Sequence, residues 1–178
     1  MERAVTRVSV HEELERARVT FHDLLEHASP ADLSRATQGT RWTNQQLLFH
    51  MLLGYLVVRA LLGLVRTLGR LPDSVSRGFA RVLNAVTGPF HVVNYLGGCA
   101  GALLFRGPRL TDQMDRTIVA LQRKLDEEPE QTLQRRMHFP VGWDPFFTDR
   151  LTLLEVYHYG TQHFDFHRNQ LTLTQPRA

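Results

Sequence analysis

Apolar residues recur along the chain at three- and four-residue spacing, the signature of helices that bury one face. Val10, Leu14, Ala17, Phe21, Leu24 and Ala28 line one such stripe. Ser9 and Glu12 have the spacing of a capping box and predict where that helix begins. Ser29 and Pro30 end it, and residues 30–33 predict a short helical turn. A second box, Thr43 with Gln46, opens a helix reaching about Leu68, where Gly69 and Pro72 stop it. Trp42 and Leu47 flank that start with the spacing of a hydrophobic staple. A third box, Thr152 with Glu155, opens a last helix through YHYGTQHFDFHRNQL, with Leu151 and Val156 as its staple pair.

Between these lie two less regular regions. Residues 73–106 predict a helical hairpin: Ser74 to Val86 is amphipathic, Gly88-Pro89 breaks it, and Phe90 to Phe105 follows. Gly97, Gly98, Ala100 and Gly101 would let the second arm approach a neighbour closely. Thr111 is placed to cap the next helix, whose Met114, Ile118, Leu121 and Leu125 form an apolar stripe. A connector from Glu127 to Arg150 carries Pro129, Pro140, Gly142 and Pro145 together with Trp143, Phe146 and Phe147. Loops of that length in compact domains are often functional. No stretch alternates with period two, so the expected fold is all-α, a single domain over residues 1–178.

Composition changes this picture little. The hydrophobic fraction of 43% and charged fraction of 22% are those of a soluble globular protein. Net charge is +3 and the basic residues, all Arg except Lys124, are scattered, so a nucleic-acid partner is not expected. The single Cys99 excludes an internal disulfide, fits a reducing cytoplasm, and reads as a buried small hydrophobe. The first residues, MERAVTRVSVHEELER, have no apolar stretch of signal-peptide type. The run Leu47 to Val65 is nearly long enough to span a membrane, but it contains His50 and Arg59. It reads as a central helix of a soluble bundle with no membrane partner expected, a membrane span being the minor alternative.

The candidate chemistry lies in the histidines. His163 and His167 are four residues apart, so a helix stacks them on one face. That face also carries Val156, Tyr159, Phe166 and Gln170, which points it into a core. His158 and Asp165 fall away from it. His50 shares an inward face with Leu47, Leu53, Gly54 and Val57 on the second long helix. A buried imidazole needs a partner. Three of them could find it in one metal ion, and neutral imidazole suits zinc, nickel, iron or copper. Three protein ligands leave a position open, as in catalytic zinc sites. Three satisfied core histidines would be the alternative. Tyr159, one turn before His163, could orient a ligand or donate a proton, or be a core aromatic. His138, Trp143 and Asp144 in the connector could line a pocket mouth, with His91 and Asn94 ranked behind them. Arg135 and Arg136 could meet a carboxylate.

The combination of Trp42-Thr43 and an inward His50 on one helix with a Thr152-capped helix bearing His163 and His167 resembles the DinB/YfiT-like superfamily of metal-binding four-helix bundles. Residues 144–173, DPFFTDRLTLLEVYHYGTQHFDFHRNQLTL, are especially similar to one group of these proteins. The resemblance covers nearly the whole chain, with residues 73–106 as extra helix relative to the shortest members. It implies an up-down-down-up bundle and one divalent ion on His50, His163 and His167, with zinc or nickel favoured and iron or manganese open. It often implies a homodimer. For function it implies a transferase acting on a small molecule with a low-molecular-weight thiol such as mycothiol or bacillithiol. A metal-dependent hydrolase, or a non-catalytic metal-stabilised or ligand-sensing bundle, are the alternatives.

Overall fold

In the computed structural model, residues 4–174 are described, and they are predominantly helical. The elements in order are α1 (Arg7–Glu26), α2 (Pro30–Ser34), α3 (Asn44–Leu68), α4 (Asp73–Ala85), α5 (Thr87–Leu104), α6 (Pro108–Glu127), α7 (Glu130–Leu133), β1 (Arg136–His138), β2 (Arg150–Thr152) and α8 (Leu153–Arg168). Helix α3 packs against α8, α5 and α6, while α1 packs against α6 and α8. Their apolar stripes meet in one continuous core. Val10, Leu14, Ala17 and Phe21 of α1 and Met114, Ile118, Leu121 and Leu125 of α6 are fully buried there. Helix α3 is long and apolar enough to cross a membrane, but 56% of its apolar window is buried inside the fold, as a core helix requires.

The caps at Thr43 and Thr152 form as the sequence predicts, each with its reciprocal bond from Gln46 or Glu155. The first helix differs. Thr6 is its cap and Ser9 the reciprocal partner, so Ser9 with Glu12 is not the box. A Ser hydroxyl at the third helical position answers the cap N–H as a Glu would, which moves the start one turn earlier. Helix α6 likewise begins before Thr111, at Pro108. Gly107 takes a positive φ of 50° to turn the chain, and proline is preorganised for a first helical turn. In the hairpin the break falls at Val86, and Gly88-Pro89 lies inside the first turn of α5, where proline lacks no needed N–H.

The connector is not strand-free. Arg136, Met137 and His138 pair antiparallel with Thr152, Leu151 and Arg150, and this short ribbon ties residues 139–149 into a closed loop ahead of α8. The pairing puts Met137 and Leu151 into the core together, which two isolated three-residue segments do not announce as a period.

Helix α5 contains no charged residue. Its Gly98 and Gly101 sit tightly against Trp42 and Phe49 of the α3 side. Val92, Val93, Leu96, Leu103 and Leu104 are exposed on it, and Cys99 is half-buried rather than buried. Beyond α8 the chain returns to the start of α3, where fully buried Asn44 bonds both the backbone N–H and the hydroxyl of Thr172. That strap holds the end of α8 beside the His50 segment.

Candidate metal centre

His50 projects from the second turn of α3, and His163 and His167 from successive turns of α8. The close packing of these two helices brings the three rings together. Centroid separations are 4.9 Å for His50–His163, 4.7 Å for His50–His167 and 4.5 Å for His163–His167. One ring nitrogen from each lies within 4.8 Å of the others, and all three residues are buried. Gly54, one turn after His50, makes room for this. A Cβ there would stand 2.5 Å from His163 Nδ1.

Whether these residues suit a metal ion can be tested on their remaining contacts. Among the described residues neither the His50 nor the His163 ring makes a hydrogen bond, and the Nδ1 atom of each is buried without a partner. An apolar core does not hold two such rings unless something else satisfies them. His167 Nδ1 bonds Gln170 Oε1 at 2.7 Å. Because an amide oxygen only accepts, Nδ1 carries the proton and Nε2 keeps its lone pair, the tautomer control typical of metal-ligating histidine. Burial, followed by the neighbouring His167, pushes the His50 pKa down to about 3. Burial with both neighbours holds His163 well below the usual imidazole range, and burial also lowers His167 against the pull of Gln170. All three are therefore neutral imidazoles near pH 7. The set fits a divalent ion.

Around the triad the sequence-predicted residues separate into two groups. Asp144 belongs to the site. Its Oδ1 accepts the Phe146 N–H at 2.9 Å and its Oδ2 accepts the Tyr159 hydroxyl at 3.0 Å, and Oδ2 stands 3.9 Å from His163 Nε2. Burial raises the Asp144 pKa, opposed by those two donors. Burial and the adjacent carboxylate also push the Tyr159 phenol well up, so it donates and does not ionise. Trp143 lines the same cavity, stacked on Phe90 at 3.8 Å with its Nε1 donating to the Leu83 carbonyl at 2.9 Å. Asn94 lines it too, whereas His91 is exposed.

His138 is buried and lies outside this cavity. Its Nδ1 bonds Asp149 at 2.9 Å and its Nε2 bonds Asp73 at 3.0 Å, docking α4 on the ribbon. The charge partners of this imidazole lie 65 residues before it and 11 after it, and no local pattern links them. Arg135 and Arg136 are also outside the cavity. His158 and Asp165 point to α1, where they pair with Glu13 and Arg16. Sequence reasoning missed two contributors. Trp42 packs against the His50 ring, tilted, with centroids 4.3 Å apart, rather than serving only the helix start, and Gln170 selects the His167 tautomer. Its place on the ligand face of α8 was the available signal for Gln170.

The cavity beside the triad measures about 340 Å³ and is walled mainly by aromatic and aliphatic side chains. A helical fold with a buried three-histidine set lining an apolar cavity is compatible with the class of metal-binding helical proteins. The DinB superfamily profile matches residues 13–171, and the chain belongs to that superfamily, whose members are typically metal-binding. No curated protein and no solved structure is significantly similar to it.

Proposed function

We propose that the chain is a metal-dependent enzyme in which His50, His163 and His167 hold one divalent ion. Transfer of a low-molecular-weight thiol, of the mycothiol or bacillithiol type, to a small molecule is the leading reaction. The observation that carries the reading is the convergence of three neutral imidazoles, two with no hydrogen bond of their own, beside an apolar cavity. Zinc or nickel suits the donors first and iron or manganese next, and such an ion makes a thiol or water nucleophilic near neutral pH.

The chain's own residues have separable tasks. Trp42 backs the His50 ring and Gln170 keeps the His167 proton on Nδ1, so the free lone pairs converge. Asp144, held from both oxygens, faces the same point and can accept a proton there. Tyr159 acts through Asp144 as a positioning residue. The cavity walls are mostly apolar, and charge interactions beside them strengthen wherever a bound ligand displaces water.

A metal-dependent hydrolase is the second reading, and Asp144 is the observation that favours it. Attacking water has a proton to lose, and a carboxylate beside the triad is placed to take it. The up-down-down-up course of α1, α3, α6 and α8, a cytoplasmic location and a homodimer belong to the same proposal. Such a dimer would have the uncharged, exposed face of α5 to bury.

Metal analysis of wild type and His163→Ala, followed by thiol-conjugation and ester-hydrolysis assays with and without chelator, tests the reading. Stoichiometric metal lost in the variant and activity lost with the metal are expected. Wild type without stoichiometric metal, or activity undiminished after verified metal removal, would overturn it. Metal-dependent stability without turnover would point to the non-catalytic alternative.

A further inference from the structure

The chamber has chemistry of its own beyond the triad, and much of it comes from the inserted hairpin. Phe79 and Leu83 of α4 and Phe90 of α5 line the chamber, with Trp143 of the connector packed directly on Phe90, together with Phe146 of the connector and Phe166 of α8. Its polar lining is the triad, Asp144 and Tyr159, which lie close together, and the Asn94 amide. Among the described residues no Lys or Arg lines the cavity. The two indole N–H groups face carbonyls of the hairpin: Trp143 donates to Leu83 at 2.9 Å and Trp42 approaches the Tyr95 carbonyl at 3.4 Å. The walls therefore offer a ligand apolar surface and aromatic faces, with few hydrogen bonds.

We propose that hairpin α4–α5 makes this chamber a receptor for a neutral, largely aromatic or alicyclic small molecule carrying one metal-seeking heteroatom group. The inference rests on the reading that the triad holds an ion. At about 340 Å³ the space is roughly twice the 150 Å³ that accommodates a benzene, so two fused rings suit it. A ligand body bearing a carboxylate, an ammonium or several hydroxyls would shed its hydration and find no matching partner on these walls. A polar low-molecular-weight thiol would for that reason keep its body at the mouth, leaving the chamber to the apolar reactant. Specificity then resides in Phe79, Leu83, Phe90 and Trp143 and not in the residues that hold the ion.

Three hydroxamates with one shared metal-seeking head test this: 2-naphthohydroxamate, acetohydroxamate and a carboxyethyl hydroxamate whose body is anionic. Zinc content is measured first, and binding is then followed by calorimetry and by tryptophan fluorescence. The chain's two tryptophans, Trp42 and Trp143, both line the cavity. Zinc-loaded protein is expected to bind the naphthyl compound on the order of 100-fold more tightly than either of the others, from the apolar area removed from water. Naphthalene alone is expected to quench tryptophan with or without zinc. Phe90→Ala and Leu83→Asp should each weaken naphthyl binding by about tenfold or more while leaving zinc content unchanged. Equal affinity for the anionic and naphthyl hydroxamates, or no response to naphthalene in either form, would overturn the proposal. Quenching by naphthalene in a protein that takes up no zinc would support the apolar receptor and overturn only the metal reading.

Discussion

Gly54 is the residue whose replacement probes the triad most directly. Changing it to alanine adds one methyl group to the interior of α3, which by helix propensity alone stabilises by about 0.5–1 kcal/mol. Tertiary packing opposes this. The new Cβ would lie 2.5 Å from His163 Nδ1 and 2.9 Å from Cε1. Ordinary contact is near 3.5 Å, so the ring must retreat by about 1 Å. His50, His167 and Tyr159 flank it within a buried face, so a retreat of that size takes it out of line with the other two rings. Overpacking of this kind costs about 1–3 kcal/mol, so metal-free Gly54→Ala should be destabilised by about 1 kcal/mol, a Tm shift of about 2–4 °C. The metal should respond far more. Ligand positions tolerate only about 0.2 Å, and displacing one of three should lower affinity by about 100-fold. Gly63→Ala is the control, since nothing lies within 4 Å of a Cβ at that position of α3. It should gain stability and keep its metal. Competition titration against a chromophoric chelator and thermal melts of the metal-free proteins provide both readings. Wild-type metal affinity in Gly54→Ala would falsify the placement of His163 as a ligand.

Three further outcomes follow from named contacts. Gln170→Leu frees the His167 tautomer and should reduce metal affinity by about 10- to 100-fold with stability of the metal-free form little changed, checked by the same titration. Asp144→Asn keeps the shape but removes the proton acceptor. Metal content should hold while turnover falls by about 100-fold or more, and unchanged turnover would take Asp144 out of the chemistry. Asp73 and Asp149 raise the His138 pKa, so its proton is held more tightly when folded. That stabilisation is fully present below the unfolded value of about 6.5 and is lost as pH rises through the raised folded value. Urea midpoints of wild type should carry this decline, and His138→Gln should lack it.

Much of this protein was already legible in its sequence. The three- and four-residue apolar spacing of α1, α3 and α6 and the capping boxes at Thr43 and Thr152 are local properties, set by side-chain periodicity and by the unmet N–H groups of a helix start. So is the stacking of His163 over His167, because a helix alone places residues four apart on one face. Even the inward direction of His50 follows from its neighbours on the helix.

Other features depend on chain segments far apart meeting in space. That the α3 and α8 faces meet at the height where His50 opposes the pair is decided by packing, with Gly54 as the gap that admits His163. The cluster Asp73–His138–Asp149 joins α4 to both sides of the connector, and no spacing rule spans it. The ribbon of Arg136–His138 with Arg150–Thr152 is three residues a side, too short for alternation to register, and is stabilised by its ladder and by burial of Met137 and Leu151. The chamber exists only once the hairpin and the loop close over the triad. The sequence alone thus determined the helices and the candidate ligands. The tertiary structure decided which groups share one cavity, because burial, pKa and access to a ligand are properties of everything that packs around a residue.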